Sequence, residues 1–132
     1  MTRRISIAIV LLSALFVSCA QRTAQRLQEE ISRGHALYEE RRYSEAMEAY
    51  SQAETMALKA EDYHSLGIIY QKIAHTYNAT GGHSDEIAYL DKALEAFEKA
   101  GKPYNSLHVY FEGGVARYNS QDYASAEKVF RN

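Results

Sequence analysis

The sequence predicts an all-α protein built from antiparallel helix pairs, and two observations support this prediction. Apolar residues recur at steps of three and four, as on one face of a helix, at 63, 66, 70, 73 and 77. The chain also resembles itself when residue 27 is aligned with residue 107, and such self-similarity is typical of stacked helical repeats. The matched pairs are Leu27/Leu107, Gly34/Gly114, Ala36/Ala116, Tyr38/Tyr118, Tyr43/Tyr123, Ala46/Ala126 and Tyr50/Phe130.

Helix-breaking residues between the groups of apolar residues divide residues 22–132 into five helices and an incomplete sixth. The predicted helices span residues 22–40, 44–60, 63–79, 84–100, 103–119 and 122–132. Pro103 suits the first turn of the fifth helix, where its missing N–H costs nothing. Neighbouring helices should run antiparallel because the turns are short. The middle copy looks displaced by one residue, with Tyr77 matching Tyr38, which predicts an extra residue in the 80–82 loop.

The repeated residues resemble the tetratricopeptide repeat. The resemblance rests on Gly34-x-Ala36-x-Tyr38, Tyr43-x-x-Ala46, Tyr50 and Ala53, and again on Gly114-x-Ala116-x-Tyr118, Tyr123-x-x-Ala126 and Phe130. It implies a TPR-like α-solenoid of about three repeats of ~40 residues, over 24–62, 63–102 and 103–132, with the last repeat incomplete. The middle copy departs from the pattern at His83 and Glu86.

The resemblance also implies a concave groove lined by the first helix of each pair. At its groove positions stand Ile31, His35, Tyr38 and Glu39, then Tyr70, Tyr77 and Asn78, and then Phe111, Tyr118 and Asn119. These side chains either contact a partner or pack between repeats, and the sequence leaves both interpretations open. Ile31 and His35 stand where a carboxylate clamp needs lysine and asparagine, so recognition of a terminal carboxylate in that manner is not expected.

The N-terminus resembles the signal peptide of a bacterial lipoprotein. Arg3 and Arg4 precede an uncharged run over residues 5–17, which is shorter than the ~20 residues of a membrane-spanning helix. The run leads into Cys19, which stands where lipoproteins are cleaved and lipidated. The resemblance implies a signal peptide over 1–18, a lipid-anchored tether over 19–23 and a location at the outer membrane, facing the periplasm. An ordinary cleaved signal and an uncleaved anchor are the alternatives.

Composition narrows the range of functions. The chain has 15 Lys and Arg against 17 Asp and Glu, so no basic surface for nucleic acid is expected. A single Cys excludes an internal disulfide. The five His form no ligand spacing, and no nucleophile or phosphate-loop motif is present. We therefore expect no enzyme activity, no metal and no cofactor.

These observations predict a membrane-anchored module that binds a protein or peptide. One alternative is the ligand-sensing part of a longer signalling protein whose output domain follows Asn132. Others are the accessory part of an enzyme and, if residues 1–19 are an incorrect start, a cytoplasmic scaffold. The incomplete third repeat would leave Val129 and Phe130 under-covered, which predicts either further repeats or self-association through this end.

Overall fold

A computed structural model describes the backbone of residues 2–131, and the side chains of 17–131 except Tyr104 and Tyr123. Six helices occupy this part of the chain, with no strand among the described residues, so the all-α prediction is confirmed. The helices are α1 (Thr2–Glu39), α2 (Tyr43–Lys59), α3 (Tyr63–Thr80), α4 (His83–Lys99), α5 (Pro103–Asn119) and α6 (Tyr123–Arg131). Each packs against its neighbours in the chain across a turn of two or three residues, and consecutive helices therefore run antiparallel.

The first helix begins at Thr2. The sequence pattern had predicted that it begins at residue 22. No glycine or proline stands between Thr2 and Arg33, so nothing interrupts the helix between the apolar run and the repeats. The predicted signal peptide, residues 1–18, lies outside the described side chains except for Val17 and Ser18. Cleavage before Cys19 stays a prediction. Among the described residues, no helix is both long enough and apolar enough to cross a membrane.

The turns that lead into α2, α4 and α6 recur at one constant spacing. These helices begin at Tyr43, His83 and Tyr123, and each follows a left-handed residue two positions earlier, at 41, 81 and 121. The predicted extra residue in the 80–82 loop is therefore wrong. Gly81, with φ at 83°, takes the same left-handed place in its turn as Arg41 and Gln121 do in theirs. The residue that corresponds to Tyr38 is Asn78, one position after Tyr77.

Close contacts between a glycine and an aromatic ring hold the helix pairs together. A Cβ atom built on Gly34 would lie 2.5 Å from the ring of Tyr50, so only glycine allows α1 to approach α2 this closely. Gly114 and Phe130 repeat the arrangement between α5 and α6, at 2.6 Å. In the middle of the chain, Gly67 of α3 meets the ring of Phe97 on α4. Tyr50 and Phe97 are buried and belong to the two main apolar clusters of the core.

Candidate interaction surface

Four polar side chains meet where α3 lies beside α5. Gln71 donates from Nε2 to Oε2 of Glu112 at 2.7 Å, and Nε2 of His75 lies 3.1 Å from the other carboxylate oxygen, Oε1. Nδ1 of His108 lies 3.6 Å from Oε1 of Glu112 and 3.2 Å from Nε2 of Gln71. We call Gln71, His75, His108 and Glu112 the polar cluster. It joins α3 to α5 through side chains that remain partly open to solvent.

The carboxylate of Glu112 is the most buried ionisable group of the polar cluster, with 22% of its side chain exposed. Burial raises its pKa, but hydrogen bonds from His75 and Gln71 and the charges of His75 and His108 outweigh burial, so its pKa lies below the usual value. The charged form of Glu112 is therefore the stabilised one. Among the described residues, no group of three or more His, Cys, Asp or Glu side chains could hold a metal ion.

Sequence reasoning missed the polar cluster because its members stand far apart in the chain, in two different helices. The pattern that could have revealed it is a four-residue spacing in each helix, Gln71 with His75 and His108 with Glu112. Because α3 begins at Tyr63 and α5 at Pro103, this spacing puts the two pairs within one turn of each other along the two helices. A search for ligand or catalytic motifs does not find this spacing, because no such motif has this form.

In the first repeat, the predicted groove residues divide between the core and the surface. Ile31 is buried in the apolar cluster around Tyr50, so it is not available to a partner. Tyr38 is half-buried, and its ring packs against Tyr43 with centroids 5.6 Å apart. His35 and Glu39 are exposed, with Nδ1 and Oε1 3.9 Å apart. Of the four predicted residues in this part of the chain, His35 and Glu39 are the two that are exposed.

In the second repeat, the predicted groove residues face other helices of the fold. The hydroxyl of Tyr70 donates to Glu54 of α2 at 3.0 Å. The ring of Tyr77 stacks on Tyr89 of α4, with centroids 5.5 Å apart. Asn78 is exposed, but its Nδ2 donates to Glu86 at 2.8 Å. The predicted groove positions in α3 were displaced by one residue, and one residue along a helix is a rotation of about 100°. For this reason Tyr70 and Tyr77 face α2 and α4. The side chains of Gln71 and His75, one or two positions away, face α5.

The contact between Asn78 and Glu86 also explains a departure from the repeat pattern. Glu86 occupies the position of Ala46 and Ala126, and it is buried. Asn78 satisfies its carboxylate at 2.8 Å, and Nδ1 of His83 lies 3.4 Å from the other oxygen. A buried carboxylate is tolerated here because both of its oxygens have a partner.

In the third repeat, all three predicted groove residues are exposed: Phe111, Tyr118 and Asn119. Phe111 packs edge-on against Phe130, with ring centroids 6.1 Å apart. Of the eight large apolar side chains exposed in the described part of the chain, six belong to α5 and α6. These six residues are Leu107, Tyr110, Phe111, Val115, Tyr118 and Phe130. Exposed apolar side chains concentrated in this way are typical of an interaction surface.

Cys19 is exposed on α1, two turns before Leu27, the first buried residue of that helix among the described side chains. Its thiol is free in the structure. The segment between Cys19 and Leu27 is exposed throughout, so the thiol stands apart from the packed core. This position leaves the sulfur accessible to modification.

Comparison with known proteins identifies a family for the chain. No curated protein and no solved structure matches it. A family model described as "Uncharacterized protein conserved in bacteria (DUF2225)" matches residues 12–107, which is most of the chain and includes α2, α3 and α4. The chain therefore belongs to this bacterial family, DUF2225.

Proposed function

We propose that this protein is a membrane-anchored interaction module that binds a protein or peptide and carries out no catalysis. The observation that carries the proposal is the concentration of exposed aromatic and aliphatic side chains on α5 and α6, beside the polar cluster. Rigid aromatic rings next to hydrogen-bonding groups are the usual composition of protein-binding surfaces.

Two features support a tetratricopeptide-like stack as the scaffold of this module. The left-handed turn residues recur at an even spacing, at 41, 81 and 121. The close contact of Gly34 with Tyr50 is repeated by Gly114 with Phe130, at matching positions of the first and third repeats. Stacked repeats of this kind bind partners on extended surfaces formed by several helices. The exposed face of α5, with Glu112 of the polar cluster, Phe111 and Tyr118, is the surface that we propose for a peptide.

Crosslinking in living bacteria tests the binding surface. A photoreactive phenylalanine analogue is placed at Phe111, at Tyr118 or, as the control, at the exposed Glu48 of α2. We expect discrete adducts of higher mass from positions 111 and 118 and none from position 48. Adducts of equal yield from all three positions, or from none, would contradict the proposed surface.

The lipid anchor is tested separately. The position of Cys19 after a basic start and a short apolar run supports lipidation of its sulfur, because cleavage there would leave the thiol at the new N-terminus. Two or more acyl chains are needed for stable anchoring. We expect Cys19→Ser to move the protein from the membrane to the soluble fraction and to abolish labelling by radioactive palmitate, while Ser18→Ala changes neither. If the Cys19→Ser variant stays in the membrane fraction, the lipid anchor is refuted. That result would not bear on the proposed binding surface.

A further inference from the structure

The hydrogen bonds of the polar cluster determine where its protons lie. Glu112 is ionised at neutral pH, because its pKa lies below the usual value, and a carboxylate can only accept hydrogen bonds. Gln71 must therefore turn its amide nitrogen toward Oε2 of Glu112, 2.7 Å away. His75 must carry a proton on Nε2, which lies 3.1 Å from Oε1 of the same carboxylate. The carboxylate thus sets the orientation of both side chains from α3.

The same reasoning assigns the neutral tautomer of His108. The amide nitrogen of Gln71 is a donor only, and it lies 3.2 Å from Nδ1 of His108. In the neutral ring Nδ1 therefore accepts this hydrogen bond, and the ring proton is on Nε2. When His108 gains a second proton, that proton binds Nδ1, inside the polar cluster. His75 differs, because its second proton binds Nδ1, the ring nitrogen that does not face Glu112.

Protonation of His108 changes the partner that its ring prefers. Two N–H donors then face each other between Gln71 and His108, whereas Oε1 of Glu112 lies 3.6 Å from the newly protonated Nδ1. A small rotation of the ring turns that contact into a hydrogen bond between two charged groups, which is stronger than one between neutral groups. The side chain of His108 is 61% exposed, so it has room to turn and water to hydrate its charge.

Charged groups on the surrounding helices are engaged elsewhere or oppose the change. Arg117 of α5 donates to both carboxylate oxygens of Asp91 on α4, at 2.8 Å. Lys72, which follows Gln71 on α3, is a like charge that works against protonation of the imidazoles. Ion pairs within α4 and α6 join His83 to Glu86, Lys99 to Glu95 and Arg131 to Glu127. The two imidazoles of the polar cluster supply the charges that lower the pKa of Glu112.

We propose that His108 makes the contact between α3 and α5 pH-dependent, because it accepts from Gln71 when neutral and pairs with Glu112 when protonated. Both helices pack mainly on α4, so the polar cluster links them through side chains. Imidazoles titrate between about pH 5 and 8. Stability from the charged pair is present at the acidic end of this range and is lost as the pH rises through it. The inference goes beyond the proposed function and holds whether or not α5 binds a peptide.

Nuclear magnetic resonance of ¹⁵N-labelled histidine rings tests the tautomer on the full chain, purified in detergent. We expect His108 at pH 8 to carry its proton on Nε2 and to have an unprotonated Nδ1 that accepts a hydrogen bond. On acidification Nδ1 should gain the proton, with a ring signal that depends on Glu112. His35 provides an internal control, because it has the same four-residue spacing to Glu39 and lies 3.9 Å from it, but is exposed. Its signal should not respond to Glu112→Gln.

Thermal unfolding of matched variants, followed by circular dichroism, tests the pH dependence. His108→Asn keeps an acceptor oxygen near the position of Nδ1 but cannot be protonated there. We expect the Tm of the unchanged chain to exceed that of this variant by about 2–5 °C more at pH 5.5 than at pH 8. His35→Asn, the matched control, should show no such difference between the two pH values. In the Glu112→Gln background, His108→Asn should also have the same effect at both.

Three results would overturn the inference. The first is a proton on Nδ1 of His108 at pH 8, since the hydrogen bond from Gln71 would then be absent. The second is an effect of His108→Asn on Tm that is equal at pH 5.5 and pH 8. The third is a pH-dependent effect that persists in the Glu112→Gln background, since the charge of His108 would then act on another group. If His108→Asn fails to fold, the ring signals of the unchanged chain still decide the tautomer.

Discussion

The first and third helix pairs, α1 with α2 and α5 with α6, expose matching residues to different degrees. Leu27 is 5% exposed and Leu107 is 68% exposed, while Tyr50 is fully buried and Phe130 is 52% exposed. The helix contact that brings these residues together is the same in both repeats, with Gly34 against Tyr50 and Gly114 against Phe130. The difference lies in the second half of α2 and in α3, which cover the first repeat. The same sequence pattern is therefore part of the core where other helices cover it and is exposed among the described residues where they do not.

Truncation of the matched leucines should give the largest difference between the two repeats. Leu27→Ala leaves a cavity in the core, and we expect it to lower the free energy of unfolding by about 2–5 kcal/mol. Leu107→Ala removes an exposed side chain, and we expect a change within about 0.5 kcal/mol. Urea unfolding followed by circular dichroism measures both. Equal losses in the two variants would mean that Leu107 is covered in solution.

The matched glycines should separate the repeats by a smaller amount. Gly34→Ala forces a methyl group against the buried ring of Tyr50, and we expect it to cost about 1–3 kcal/mol. Gly114→Ala meets the half-exposed ring of Phe130, which can turn toward solvent, so its cost should stay below about 1 kcal/mol. Thermal unfolding of both variants checks the difference. A larger loss for Gly114→Ala would contradict the account of a loosely covered third repeat.

The polar cluster should stabilise the contact between the second and third repeats in a pH-dependent way. Because the pKa of Glu112 is lowered in the folded protein, its contribution is present above the carboxyl's ordinary pKa of about 4.5. That contribution is lost as the pH falls through the lowered value. We expect Glu112→Gln to cost about 1 kcal/mol at pH 7 and to flatten the loss of stability between pH 5 and 3. An unchanged acid profile would show that Glu112 makes no net contribution.

The smallest expected effect concerns the hydroxyl of Tyr50, which is buried without a hydrogen-bond partner among the described residues. Burial, with the nearby charges of Tyr38 and Glu39, raises its pKa to about 12, so folding is disfavoured as the pH rises from 10 to 12. The third repeat already carries phenylalanine at this position. We expect Tyr50→Phe to change stability at pH 7 by less than about 1 kcal/mol and to reduce the loss at alkaline pH. A large loss at pH 7 would indicate that the hydroxyl has a partner in solution.

Most of the helical architecture could be predicted from the sequence. From α2 to α6 the predicted bounds agree with the structure within one residue, because apolar periodicity and turn residues mark these helices independently. The start of α1 could not be placed, because a signal-like segment and a helix favour the same apolar residues. The alignment of α3 with α1 was wrong by one residue, because Tyr77 was matched to Tyr38 by residue type. The left-handed turn at Gly81 shows that Asn78 corresponds to Tyr38.

The candidate surface was predictable only in part. Phe111, Tyr118 and Asn119 are exposed as a binding surface requires, whereas Ile31, Tyr70 and Tyr77 pack against other helices. Tyrosine and isoleucine serve a core or a binding surface equally well, and their exposure depends on which helices cover them. The polar cluster depends on contacts between residues that are distant in the chain, which a search for known motifs does not reveal.

Hydrogen exchange of the full chain tests most directly the account that α5 and α6 are less covered than α2 and α3. We predict that amides of α5 and α6 exchange faster than those of α2 and α3. Equal protection of all four helices would contradict the account.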